Sequence, residues 1–170
     1  AGASLFADFL PMLPPQILLL NVLSDLPAMA IATDLVDPEI CSKPIRWSSR
    51  SITSFMLVFG LISSVFDYLT FGTLLILGLP APAFRTGWFI ESVISEIAVL
   101  LVVRTRRPLF RSRLGKWLAI MSALAATIAV CLPFSGPGEA LGFAAPSLST
   151  LAIVGVILLG YTGASELGKR

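Results

Sequence analysis

The sequence predicts an all-α fold, a polytopic transmembrane helical bundle with five full spans and part of a sixth. Hydrophobic residues make up 56% of the 170 residues and charged residues only 13%, about half of the roughly 25% found in soluble domains. The apolar residues also fall into runs of about 20, the length that a helix needs to cross a bilayer core about 30 Å thick. Lipid is therefore the expected surrounding of most of the chain.

The expected spans follow one another along the whole chain. An apolar stretch over residues 1–13 is too short to cross a bilayer and is expected to be the outer end of a helix that starts upstream. Pro14 and Pro15 open the next run, because proline suits a first helical position, where its missing N–H would be unpaired anyway. The full spans are expected at residues 15–33, 55–79, 84–103, 117–134 and 148–164.

Basic residues are distributed unevenly between the linkers. Of the 12 lysines and arginines, 11 lie in the linkers over residues 37–52 and 104–116 or in the C-terminal tail. The linkers that alternate with these hold only Arg85. Cytoplasmic loops of membrane proteins carry an excess of Lys and Arg, so the basic linkers and the C-terminus are predicted to be cytoplasmic.

Composition excludes several classes of function. The chain has no histidine, which removes His-based acid–base chemistry and most transition-metal sites, and its two cysteines fit neither a disulfide framework nor a zinc site. A net charge of +2 is too small for a nucleic-acid-binding domain. The sequence has neither a Gly-rich phosphate loop nor an Asp-Lys-Thr-Gly motif, so by itself it is not expected to use ATP or to catalyse a reaction.

Polar residues inside the run over 15–33 point to a cation site. Asn21 and Asp25 are spaced i,i+4 and share one helix face, with Ser24 beside them. Pro27 has no N–H to donate, which frees the carbonyl of Leu23. An amide oxygen, a carboxylate, a hydroxyl and a free carbonyl are hard ligands of the kind that Mg²⁺ and Ca²⁺ take. The alternative is that the polar side chains only join neighbouring helices and that the proline is a plain kink.

Two glutamates lie in the run over 84–103, where a carboxylate at mid-bilayer costs on the order of 2.5–3.5 kcal/mol. Glu96 lies deeper in the span, is flanked by Ser92 and Ser95, and is favoured as an ion ligand. Glu91 is about 140° away around the same helix. It lies within a turn of Trp88, near the expected outer interface, where water would solvate it.

Other carboxylates have simpler interpretations. Asp67 has Ser63 at i−4 and Ser64 at i−3, and a structural polar cluster is favoured over an ion site. A solvated cytoplasmic loop is expected for three acids that follow the run over 15–33: Asp34, Asp37 and Glu39. The candidate metal ligands are Asn21, Ser24, Asp25 and Glu96, with Glu91 and Asp67 as second choices.

Several stretches of the chain, in this order and spacing, resemble one known family. NVLSDLPAMAIATD, from Asn21 to Asp34, is similar to the Asn-x-x-Thr/Ser/x-Asp stretch in the sixth membrane helix of P-type cation-transporting ATPases. Five further stretches resemble the magnesium-translocating subfamily: FLPMLPPQILLLN (9–21), KPIRW (43–47), FMLVFGLISSVFDYLTF (55–71), GWFIESVISE (87–96) and RTRRPLF (104–110). One departure is Asp8, which stands where that subfamily's hairpin would have a proline.

The resemblance implies that residues 1–170 are the C-terminal membrane domain of such a pump, from the end of its fifth helix to its tenth, in a bacterial inner membrane. Asn21 and Asp25 would match the family's sixth-helix cation ligands, Ser24 the adjoining polar position, and Glu96 the ligand of its eighth helix. The transported ion would be Mg²⁺, with Ca²⁺ or another divalent cation left open. ATP would act only through cytoplasmic domains that this sequence lacks, so the partners would be the lipid bilayer and the rest of the pump.

Two other functions stay open at this point. A stand-alone structural or regulatory membrane protein, descended from a pump but without transport activity, would associate with partner helices through faces of small residues. A small passive cation channel could use the same carboxylates, but one chain supplies too few helices to enclose a symmetric pore.

Overall fold

A computed structural model gives the arrangement of residues 9–35, 49–105 and 107–169. These residues form six α-helices: α1 (Pro14–Ala30), α2 (Ser49–Ile76), α3 (Ala81–Val103), α4 (Lys116–Cys131), α5 (Gly136–Ala140) and α6 (Leu148–Gly168). Single 3₁₀ turns follow α1 (Ile31–Thr33) and α4 (Leu132–Phe134) and interrupt the linker between α3 and α4 (Leu109–Arg111). No strand occurs in these three ranges, which confirms the all-α prediction.

Five of the helices are long and apolar enough to cross a membrane: α1, α2, α3, α4 and α6. This confirms the prediction of a polytopic helical bundle with five full spans. A partial helix was predicted over residues 1–13. Residues 1–8 of this stretch lie outside the described residues, and residues 9–13 lead into α1 without helical backbone.

Helix α3 forms the centre of the bundle. It packs against α1, α2, α4 and α6, and half of its apolar stretch is buried, compared with 33% or less in each of the other four spans. Its side chains Phe84, Phe89 and Val93 are fully buried. Any polar group on the inner face of α3 is therefore surrounded by protein rather than lipid.

Neutral hydrogen bonds join the helices at one end of the bundle. Gln16, which is fully buried, accepts from the backbone N–H of Leu13 at 2.9 Å and donates to the carbonyl of Leu141 at 3.0 Å. On α3, the hydroxyl of Thr86 lies 2.9 Å from the carbonyl oxygen and 3.1 Å from the backbone nitrogen of Ala144. The linker between α5 and α6 is thus tied to the starts of both α1 and α3.

At the opposite end the contacts are charged. Asp34, which follows α1, accepts from Arg104 at 2.5 Å and from the backbone N–H of Gly115 at 2.7 Å. The Arg104 and Asp34 side chains are only 1% and 9% exposed. At the end of α6, Lys169 donates to the carbonyls of Val102 at 3.1 Å and Arg107 at 2.7 Å. The ends of α1, α3 and α6 and the start of α4 therefore meet at this end.

The prediction that Asp34 lies in a solvated loop is wrong. The linker between α3 and α4 folds against the end of α1 and buries the carboxylate, a contact that has no local sequence pattern. Burial disfavours the charged form, yet the hydrogen bonds from Gly115 and Arg104 outweigh it and hold the pKa of Asp34 below its ordinary value of 3.8. Asp37 and Glu39, predicted to share that loop, lie outside the described residues.

We predict that Gly115→Ala destabilises the bundle. A Cβ at this position would lie 2.9 Å from the Cα of Asp34 and 3.1 Å from the carbonyl oxygen of Thr33, so the backbone of α1 or α4 must shift, at a cost of about 1–3 kcal/mol. Thermal unfolding in detergent micelles measures the change. Gly155→Ala is the control, because nothing lies within 4 Å of its Cβ position; equal melting temperatures for both variants would contradict the prediction.

We also predict that Asp34→Asn lowers the free energy of unfolding by about 3 kcal/mol near neutral pH, because it leaves Arg104 buried beside a neutral side chain. The pKa of Asp34 is lower in the folded protein, so its stabilising effect is present above 3.8 and is lost as the pH falls through the lower folded value. Unfolding measured from neutral to strongly acidic pH should therefore show a smaller difference between the variant and the wild type in acid. A difference that stays constant over this range would contradict the assignment.

Candidate cation site

The structure brings together two of the residues favoured by the sequence. The hydroxyl of Ser24 on α1 donates a hydrogen bond to the carboxylate of Glu96 on α3, 72 positions away. The same hydroxyl lies 2.8 Å from the carbonyl oxygen of Leu20. Two helices that are distant in sequence are thus joined by a polar contact within their spans.

Asn21 and Asp25 lie on the exposed face of α1, on either side of Ser24. Among the residues described by the structure, neither side chain has a hydrogen-bond partner. Helix α1 continues without a break through the buried Pro27 to Ala30. The amide and the carboxylate are therefore available to groups that lie outside this part of the chain.

Glu91 does not have the environment predicted for it. Its side chain is 1% exposed, and its Oε1 has no hydrogen-bond partner among the described residues. The expectation of a water-exposed carboxylate near the interface is wrong, because the neighbouring side chains Ile90 and Val93 are buried together with it. This part of α3 lies inside the bundle.

Of the two hydroxyls expected to bond to Asp67, one has another partner and the other is exposed. The hydroxyl of Ser63, expected to bond to Asp67, instead pairs with the phenol of Tyr161 on α6 at 2.9 Å. Ser64, the other expected partner, is exposed. No local pattern near Ser63 indicates Tyr161 as its partner, although a tyrosine in the middle of an apolar span needs a partner for its hydroxyl.

Asp67 instead lines a cavity of about 220 Å³ between α2, α3 and α6. The polar residues of its wall are Ser63, Asp67, Ser92, Ser95, Glu96 and Tyr161. Since Glu96 also contacts Ser24, it connects this cavity with the polar face of α1.

The arrangement limits how a metal ion could be held. Within the described ranges, no three His, Cys, Asp or Glu side chains converge as direct ligands of one ion. A cation near α1 would depend on the carboxylates of Asp25 and Glu96 together with neutral oxygens and water.

Comparison with known proteins places the chain in a family. The family described as "Cation transporting ATPase, C-terminus" matches residues 9–170. The chain belongs to this family. The motifs predicted the C-terminal membrane domain of a magnesium-translocating P-type ATPase. The family match, together with relatives named as magnesium-transporting ATPases, confirms this prediction.

Two relatives illustrate the likeness. The domain is 37% identical to "Magnesium-transporting ATPase, P-type 1" of Escherichia coli K12 and 38% identical to the protein of that name from Salmonella typhimurium strain 14028s. Both matches cover 98% of this chain and 19% of the relative. The ATPase C-terminal domain thus spans about a fifth of the length of these relatives.

We predict that Ser24 and Glu96 stabilise the domain cooperatively. A hydrogen bond to a charged group contributes about 1.5–3 kcal/mol, so Ser24→Ala and Glu96→Ala should together destabilise by clearly less than the sum of the two single changes. A double-mutant cycle on unfolding in detergent measures this coupling. Strict additivity would contradict a direct bond between the two side chains.

Proposed function

We propose that the chain is the cation-binding part of the membrane domain of an ATP-driven Mg²⁺ transporter of the P type. The observation that carries this proposal is the contact of Ser24 with Glu96, which joins α1 to α3 beside Asn21 and Asp25. The relatives named as magnesium-transporting ATPases support the choice of ion.

Each proposed ligand has a separate chemical role. Asp25 supplies the main negative charge, Asn21 and Ser24 supply neutral oxygens, and Glu96 adds a carboxylate from α3. Mg²⁺ gives up its water reluctantly and is usually bound by few protein oxygens and several waters. A set of four protein groups with space for water fits this preference.

The exposure of Asn21 and Asp25 supports a larger assembly around this site. A carboxylate that faces hydrocarbon costs on the order of 2.5–3.5 kcal/mol, and such residues normally face a bundle interior or an ion path. We propose that the remaining helices of the pump pack on this face of α1 and complete the site. ATP hydrolysis would then act through cytoplasmic domains elsewhere in the pump.

The charged end of the bundle is proposed to face the cytoplasm of a bacterium, with the domain in the inner membrane. Arg104 and Lys169 lie at this end together with the basic linker between α3 and α4. Such clusters mark the cytoplasmic side of membrane proteins.

We predict that Asp25→Asn, introduced into the full-length pump, abolishes Mg²⁺ uptake and leaves membrane insertion intact. The substitution keeps the shape of the side chain but removes the charge that binds the ion. Uptake of ²⁸Mg by cells or vesicles is the measurement, with the amount of pump in the membrane determined in parallel.

The matched control is Glu139→Gln, which makes the same chemical change on the exposed α5, away from the proposed ligands. This control should transport like the wild type. Uptake by Asp25→Asn at the wild-type rate would overturn the proposed role of Asp25.

A further inference from the structure

Within the described residues, polar contacts connect α1 and its flanks with α3 and its end at three levels of the bundle. They join, in chain order, Leu10 to Arg85, Ser24 to Glu96, and Asp34 to Arg104. The order is the same along both partners, so α1 and α3 run parallel. The middle contact joins two of the proposed cation ligands, and each of the outer contacts is made by an arginine.

Arg85 is the one basic residue that the asymmetry of the linkers leaves unexplained. The structure gives it a partner, because its Nε donates to the carbonyl of Leu10 at 3.0 Å. Leu10 lies in the stretch that leads into α1, before the helical backbone begins. Arg85 therefore holds the start of α1 against the start of α3.

Arg104 plays the same part at the charged end. It donates to Asp34, just beyond α1, at 2.5 Å, and the two side chains are 1% and 9% exposed. Further bonds to the hydroxyl of Ser112 and the carbonyl of Arg113, both at 3.3 Å, hold its guanidinium in place. The two flanks of α1 are thus attached to α3 independently of the proposed ligands.

The packing of α1 gives these contacts their importance. Only 22% of its apolar stretch is buried, compared with 50% in α3. Apolar contact is non-directional and tolerates a small movement of α1 along α3, whereas a hydrogen bond weakens steeply with a poor angle or distance. The polar contacts are therefore the stronger constraint on the axial position of α1.

That axial position decides whether the proposed ligands meet. A movement of α1 by one residue shifts Ser24 and Asp25 by about 1.5 Å relative to Glu96. Mg²⁺ demands near-ideal octahedral geometry, and a binding site must hold its groups within about 0.5 Å. A movement of that size would also break the contacts of Arg85 and Arg104, so these contacts oppose it.

We propose that Arg85 and Arg104 are positioning residues of the cation site, which keep Ser24 and Asp25 level with Glu96. The inference rests on the proposed function. Neither arginine binds the ion. Loss of either outer contact lets α1 move, so that only a fraction of the pump molecules has the ligands aligned, and the apparent affinity for the ion falls by that fraction.

Arg85→Met in the full-length pump tests this proposal, because it removes the donor and leaves a side chain of some length. Arg85 is only partly buried, so the variant is expected to fold. The KM for Mg²⁺, measured by ²⁸Mg uptake into vesicles, should rise about three- to tenfold, the effect of one lost hydrogen bond. The kcat should stay near that of the wild type. Arg111→Met is the matched control, since Arg111 is exposed in the linker after α3, and its KM should not change.

The direction of the change separates positioning from simple electrostatics. A positive charge that only repelled Mg²⁺ would lower the KM when removed, whereas a lost positioning contact raises it. Arg85→Lys keeps the charge and a donor, and should restore part of the affinity. A KM that is unchanged or lower in folded Arg85→Met would overturn the role of Arg85, as would a loss of kcat at constant KM.

Two more variants protect the test against misfolding. Arg85→Gln is too short to reach Leu10 but stays polar, and it should raise the KM like Arg85→Met. Asp34→Asn, at the other flank, should raise it in the same direction, and the melting temperature of each variant identifies any that do not fold. An unchanged KM in folded Asp34→Asn would overturn the role of Arg104.

Asp25→Asn separates this inference from the proposed function. If that variant loses ²⁸Mg uptake while Arg85→Met and Asp34→Asn keep the KM of the wild type, the ligand role of Asp25 stands and the positioning role fails. If Asp25→Asn transports like the wild type, the proposed ligand set fails first. The positioning role then fails with it, because it acts through the ligands on α1.

Discussion

Hydrocarbon offers no hydrogen-bond partner, so each polar group on a spanning helix must find one inside the protein or in water. In this bundle that constraint acts mainly on α3, the helix that contacts the other four spans. Glu96 satisfies it by bonding to Ser24, whereas Glu91 remains without a partner for Oε1 among the described residues. Glu96 alone of the two both lines the polar cavity and contacts α1.

The two ends of the bundle are joined by different kinds of bond. Gln16 and Thr86 make neutral hydrogen bonds to backbone groups at one end. Asp34 and Lys169 make charged contacts at the other, which bring α1, α3, α4 and α6 together. The larger number of charged contacts at the second end agrees with the asymmetry of basic residues between alternate linkers, while Arg85 donates to the carbonyl of Leu10 at the first end.

The sequence was sufficient to predict the helical class and the number of spans, because hydropathy and length decide which segments can cross a bilayer. It also selected Ser24 and Glu96, since unusual polar residues in apolar runs are visible without a structure. It failed for Asp34 and Glu91 because burial there depends on contacts distant in sequence. No pattern near Asp34 indicates that Gly115, 81 positions away, donates to it.

The attachment of α1 has a mechanical consequence. The helix is fixed near its start by Gln16, near its middle by Ser24 and just beyond its end by Asp34. Pro27, which lacks an N–H for the helical ladder and so lowers its resistance to bending, lies between the last two attachments. A displacement of the charged end would therefore bend α1 at Pro27 rather than slide the whole helix. That bend would begin two residues from Asp25.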